Sequence, residues 1–154
     1  MGQVAAQLRE RVYRANQELA GSGLVHGTFG NVSGVDREAG LFVIKASGVP
    51  YEEQTPDHMV PVSLETGEVV DGPFRPSSDS PTHLELYRFV LRRNHTMYGA
   101  RFSLGPDGDL YLVGRVALEH LTVEELDRII GVLYELTETW FQPIVRIAYR
   151  RPSS

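Results

Sequence analysis

The sequence predicts an α+β fold, with a mixed or largely antiparallel sheet packed by three main helices. Three observations predict it. Three stretches carry apolar residues at helical spacing, and between them lie short strand-like runs separated by turn residues. The chain has 154 residues, enough to bury one core and too few for two average domains. The expectation is therefore one compact unit, or two fused half-units.

Taken in order, Val4, Leu8, Val12, Ala15 and Leu19 follow helical spacing, and Gly21-Ser22-Gly23 stops the pattern, which predicts a first helix near residues 3–20. Strands are predicted at Asn31–Val35, Leu41–Lys45, Met59–Ser63 and Glu68–Val70, joined by "DREAG", "GVPYEEQTPD" and the hairpin candidate "ETGE". A second helix is predicted from Ser80 as N-cap and Pro81 at the first helical position, with Leu84, Tyr87 and Leu91 on one face. "GARFSLGPDGDLYLVGRV" reads as a hairpin turning at Pro106-Asp107-Gly108. Thr122 with Glu125 forms a capping box for a last helix carrying Leu126, Ile129, Ile130, Leu133 and Leu136, which Pro143 is expected to limit.

Composition narrows the function classes. Cysteine is absent, which removes disulfides, thiolate nucleophiles and Cys-based metal sites, so any metal needs His and carboxylates. The net charge of −5 argues against nonspecific nucleic-acid binding, because phosphate contacts need a basic face. No apolar run approaches the roughly 20 residues that span a bilayer, and no apolar signal region opens the chain. The expectation is a soluble cytoplasmic protein without nucleic-acid or membrane partners. Of the 15 basic residues 14 are Arg, and Lys45 is the single lysine.

Three stretches offer chemistry. In "GTFGNVSG" (27–34) glycines flank Asn31 and Ser33, which reads either as a loop-to-strand bend or as a nest of backbone N–H groups for an anion. "KASG" delivers Lys45 at a strand end beside Ser47 and Gly48, a compact ammonium in a chain that otherwise uses Arg. "SSDS" places Ser77, Ser78 and Asp79 at a helix N-terminus, where unpaired N–H groups and the dipole favour an anion, or where the same residues simply cap the helix. In the second half Arg92, Arg93, Arg101 and Arg115 read as a basic patch or a solvated face. Tyr134, Trp140 and Phe141 read as core packing, a helix-end contact or an interaction surface.

The continuous stretch from "GLVHGTFGNVSG" through "KASGVPYEEQTPDHMV" to "RPSSDSPTHLELYR" resembles the N-terminal part of the class II aldolase family, in particular its L-ribulose-5-phosphate 4-epimerase and L-fuculose-phosphate aldolase branch. The resemblance covers about residues 3–88. It implies a sugar-phosphate cradle made by Gly30, Asn31, Lys45, Ser47, Gly48, Ser77 and Ser78, with Asp79 in the acidic position that takes part in acid–base work. Many relatives have a proline after the lysine, where this chain has Ala46. The family also implies a divalent metal, usually zinc, held by His-x-His and a third His. Here "RRNHTMYG" follows instead, and no two of His26, His58, His83, His95 and His120 are separated by one residue. A rearranged site would use, for example, His83, His95 and Asp79, and no complete metal site is seen in the sequence.

"LYRFVLRRNHTMYGARFSLGPDGDLYLVGRVALEHLTVEELDRIIGVLYELTETWFQPIVRI" is similar to the later part of YbjN-type proteins, named as bacterial sensory-transduction regulators with a type III secretion chaperone-like α+β fold. The two resemblances meet in "LELYRFVLRR", so the chain looks like a chimera, with segments 1–88 and 89–154 sharing a helix over about 81–97. They imply an aldolase- or epimerase-like half site for a phosphorylated sugar or other small anion, lacking aldol chemistry. The alternative they imply is a chaperone-like or regulatory module that binds a protein partner or a second copy of itself.

Overall fold

In a computed structural model of the chain, residues 2–105 and 110–149 are described, with the side chains of residues 2–5 and 104 left aside. Three helices and five strands appear among them: α1 (Gly2–Gly21), β1 (Ser33–Asp36), β2 (Leu41–Lys45), β3 (Met59–Ser63), α2 (Ser80–Thr96), β4 (Ala100–Leu104), β5 (Leu110–Gly114) and α3 (Val123–Ala148). The fold is α+β. Its strands form two antiparallel sheets, β1-β2-β3 and β4-β5. Chain contacts divide it into two units, Met1–Leu84 and Glu85–Ser154, with the division inside α2.

In the first unit β2 is central and buried along its whole length. Leu41, Val43 and Lys45 alternate onto one face, and Leu8 and Val12 of α1 pack against that face with Met59 of β3. Leu8, Val12 and Asn16, spaced by four, are the buried row of α1. Gly34 lets this row lie close to β1, since a Cβ there would stand 2.8 Å from Val12 Cγ2 and 2.9 Å from Leu8 Cδ1. α1 ends where expected: the Ser22 Oγ donates to Leu19 O at 2.6 Å, and Gly23 takes φ of 73°. The "DREAG" turn is held by Asp36 Oδ1, which accepts from the amides of Glu38 and Ala39.

Two expectations for this unit change. Glu68–Val70 forms no strand of its own. Gly67 turns at φ of 81°, and only Val69 bridges back to Val62, although Ser63 N donates to Glu68 O and Val70 N to Pro61 O. Ser80 is not the N-cap of α2 but its first residue. The Asp79 carbonyl accepts from His83 N at 3.1 Å, while the buried Ser80 Oγ has no hydrogen-bond partner among the described residues.

In the second unit β4 and β5 pair from Ala100↔Gly114 to Leu104↔Leu110. The predicted turn at Pro106-Asp107-Gly108 lies outside the described residues. Ile129 and Leu133 of α3 face Gly114, where an added Cβ would lie 3.4 Å from Ile129 Cγ2. Thr122 caps α3 by accepting from Glu125 N at 3.1 Å. Only half of the capping box forms, because the Glu125 carboxylate is held by Arg128 at 2.6 and 2.8 Å. Pro143 does not end α3, which runs on to Ala148. A proline removes one N–H from the ladder and crowds one carbonyl, a local cost that the flanking turns outweigh here.

Candidate functional site

The three stretches singled out in the first unit come together. Strand β2 continues past Lys45 into a short antiparallel pairing with the segment before α2, since Ala46 bridges Pro76, Ser77 N donates to Lys45 O and Ser47 N donates to Arg75 O. This places "KASG" alongside "PSSD". The Gly27–Gly34 segment closes on both through side chains: Asn31 Nδ2 donates to Asp79 Oδ2 at 2.6 Å and reaches Ser77 Oγ at 3.4 Å. Ser77 Oγ in turn accepts from Asp79 N at 3.3 Å.

Lys45 is not a solvated cation at the rim. It is 2% exposed, and its Nζ donates to Thr28 O at 2.6 Å and stands 5.0 Å from the centre of the Tyr51 ring. Burial holds its pKa below the usual lysine value, and the nearby Asp79 carboxylate opposes that shift only in part. Of the expected cradle residues, Gly30, Asn31, Lys45 and Ser77 are bound into this network, Gly30 through its carbonyl, and so is Asp79, the expected acid–base residue. Ser47, Gly48 and Ser78 lie exposed on the same segments. The amides of Gly30, Asn31, Gly48 and Ser78 have no protein partner among the described residues.

Sequence reasoning missed the groups that hold this loop in place. Asn16 is fully buried on α1; its Nδ2 donates to Val32 O at 2.9 Å and its Oδ1 accepts from Val32 N at 3.0 Å, the paired bonds of a strand neighbour. Tyr51 O–H donates to Gly30 O at 2.8 Å, and Gln17 Nε2 donates to Tyr51 O at 3.0 Å. The legible signal was Asn16 itself, a polar residue four positions after Val12 on the buried row of a helix. The Ser33 Oγ and His83 Nδ1 lie 2.7 Å apart. Burial lowers the His83 pKa, with Asp79 opposing it.

The zinc that the resemblance implies does not fit these residues. His83 and His95 stand twelve positions apart on α2, about 18 Å along a helix axis, too far to share one ion with Asp79. His83 Nδ1 is taken up by Ser33 and His58 Nδ1 by Thr55, while His26, His95 and His120 are exposed. No group of three His, Asp or Glu side chains converges among the described residues. No metal-dependent step is derived for the site.

In the second unit the supposed basic patch is divided. Arg93 lies 4.5 Å from the centre of the Trp140 ring and 5.0 Å from that of Phe89, so its planar cation is used in packing. Arg101 and Arg115 flank Val113 on one face of the hairpin and line an open concavity of about 250 Å³ with Gly99 and Ala100. Trp140 packs edge-on against Phe89, whereas Tyr134 and Phe141 are mostly exposed.

A strand-end network with a glycine loop and serine-bearing helix entry, built on a small antiparallel sheet, defines the first unit as a class II aldolase-type half. The comparisons agree. Residues 10–98 match the Class II Aldolase and Adducin N-terminal domain family, and residues 65–145 match the YbjN family, "Putative bacterial sensory transduction regulator"; each covers more than half of the chain, which belongs to both. The two matches overlap over residues 65–98, around α2. A solved L-fuculose 1-phosphate aldolase is similar at 28% identity with a TM-score of 0.50, over 62% of this chain and 41% of that one. The chain thus spans less than half the length of that relative. No described helix is long and apolar enough to cross a membrane.

Proposed function

We propose that the first unit binds the phosphate end of a phosphorylated sugar, or a comparable small anion, without carrying out aldol cleavage. One observation carries the reading: the amides of Gly30, Asn31, Gly48 and Ser78 lack protein partners among the described residues, on three segments tied to one another by the Asn31–Asp79, Ser77–Lys45 and Ser47–Arg75 bonds. Unpaired N–H groups at glycine turns and a helix entry suit an anion, with the hydroxyls of Ser47 and Ser78 as further donors. Lys45 contributes mainly by fixing the loop through Thr28 O, and its buried charge adds to the field. Asp79, in the family's acid–base position, serves here to anchor Asn31. The reading without aldol chemistry rests on the donor set, since the chain has no His-x-His pair and no group of three His, Asp or Glu side chains that could hold a metal is found among the described residues.

Calorimetry with L-fuculose 1-phosphate and with inorganic phosphate tests the proposal. Wild-type protein is expected to bind the ester, and Ser47→Ala/Ser78→Ala to bind it about tenfold or more weakly, since each lost hydrogen bond to a charged group is worth roughly 1.5–3 kcal/mol. Absence of binding at millimolar ester, or equal affinity in the double variant, would refute it. Lys45→Ala is expected to lose binding as well, together with order in the Gly27–Gly34 loop.

A further inference from the structure

The two outer edges of the β4–β5 hairpin are treated differently. Phe102 N donates to Asn94 Oδ1 at 2.7 Å and Phe102 O accepts from Asn94 Nδ2 at 3.0 Å, so the Asn94 carboxamide occupies the outer side of β4 as a strand residue would. This also sets the phase of the ladder. Phe102 directs its backbone away from β5, so its partner Leu112 directs its own N–H and C=O away from β4, and so do Leu110 and Gly114. Those three residues have no further partner among the described residues. The outer edge of β4 is capped at its central residue, Phe102, whereas the outer edge of β5 carries no such cap among the described residues.

From this we infer that β5 pairs with β5 of a second copy of the chain, antiparallel about a twofold axis at Leu112. In that register Leu112 meets its own counterpart and Leu110 meets Gly114, so all the outward groups of the open edge are satisfied at once, by about six N–H···O bonds. Tyr111 then faces Val113 across the new pair, an aromatic beside a β-branched residue, which is a favourable cross-strand contact. No charged residue of β5 stands in the way, since the strand reads LYLVG.

The helix supplies the area that a strand alone lacks. Among the described residues α3 has no buried position in 26 residues, and Val123, Leu126, Ile130, Tyr134 and Phe141 are 79%, 47%, 57%, 67% and 58% exposed along one stripe. These side chains offer on the order of 500 Å², which with a paired strand approaches the roughly 800 Å² per partner of a stable interface. Charge suits an antiparallel approach of two such helices. Glu124 and Glu125 lie in the first turn of α3 and Arg146 in its last, so the acidic end of one helix meets the basic end of the other.

Sedimentation and amide hydrogen exchange, run on the full chain at about 1 and about 200 µM, test this together. The expected mass rises from 17.2 kDa to twice that value. Over the same range the amides of Leu110, Leu112 and Gly114 become protected, while those of Tyr111 and Val113 are protected at both concentrations. Ile130→Glu, at an exposed position, is expected to raise the dimer dissociation constant about tenfold or more. A monomer throughout, a dimer in which the Leu112 amide still exchanges freely, or unchanged association in Ile130→Glu would each overturn the inference.

Discussion

Asn31 Nδ2 donates to Asp79 Oδ2 over 2.6 Å, although 48 residues separate the two in the chain. The bond fastens the glycine loop to the entry of α2, and the same Asn31 carries a buried Oδ1 without a hydrogen-bond partner among the described residues. Replacement by Asp tests how much the loop depends on it. Asn31→Asp sets two carboxylates against one another and is expected to cost about 1–3 kcal/mol near neutral pH. The loss should shrink in acid, where one carboxyl of the pair takes a proton. Urea unfolding of both proteins at neutral and acidic pH measures this, and an equal loss at both would remove the electrostatic explanation.

His83 gives the fold a pH dependence of defined sign. Burial lowers its pKa below the ordinary 6.5, so the folded chain keeps the neutral imidazole while the unfolded chain takes up a proton first. Stability should therefore fall as pH drops below about 6.5, and level off once the folded value has been passed. His83→Gln is expected to flatten that slope between pH 6.5 and the folded value, read from urea midpoints. A slope equal to that of the wild type would assign the effect to another group.

Gly30 and Gly48 separate conformational strain from crowding. Both take positive φ, 75° and 77°, but a Cβ at Gly30 would collide with the Val25 side chain, whereas nothing lies within 4 Å at Gly48. Gly48→Ala should cost about 1 kcal/mol from backbone strain alone, and Gly30→Ala at least about 2 kcal/mol. Thermal melts of the two variants give the comparison, and equal losses would show that Val25 yields freely.

Pro143 lies inside α3 rather than at its end. Because a helix-interior proline costs up to about 3 kcal/mol relative to alanine, Pro143→Ala should stabilise the second unit by about 1–3 kcal/mol and raise its melting temperature. Circular dichroism at the helix band follows it. No change would mean that the last turns contribute little to the fold.

Much of the fold was legible because it rests on local periodicity. The row Leu8, Val12 and the strand Leu41–Lys45 announce themselves by spacing and composition, and the Ser80-Pro81 pair marks α2 within one residue. What escaped depends on distance or on competition between effects. Nothing near Asn31 in the chain points to Asp79, and nothing near Asn16 points to the Val32 backbone that it grips. Pro143 misled because the rule against helix-interior proline describes a cost, and long flanking turns absorb it. Glu68–Val70 has strand composition, yet only Val69 pairs, because the chain turns away after Gly67. For the candidate site, sequence order singled out three segments that hydrogen bonds join in the fold, but it did not foresee that Lys45 would lie inside the protein with its ammonium on Thr28.

The carboxamide of Asn94, which holds both backbone groups of Phe102, bears on how far the inferred self-association would run. A ribbon attractive on both margins propagates without limit and ends in fibrils; one closed margin makes the sequence of additions finite. If β5 pairs as inferred, an addition through the opposite margin would meet the carboxamide already seated on Phe102.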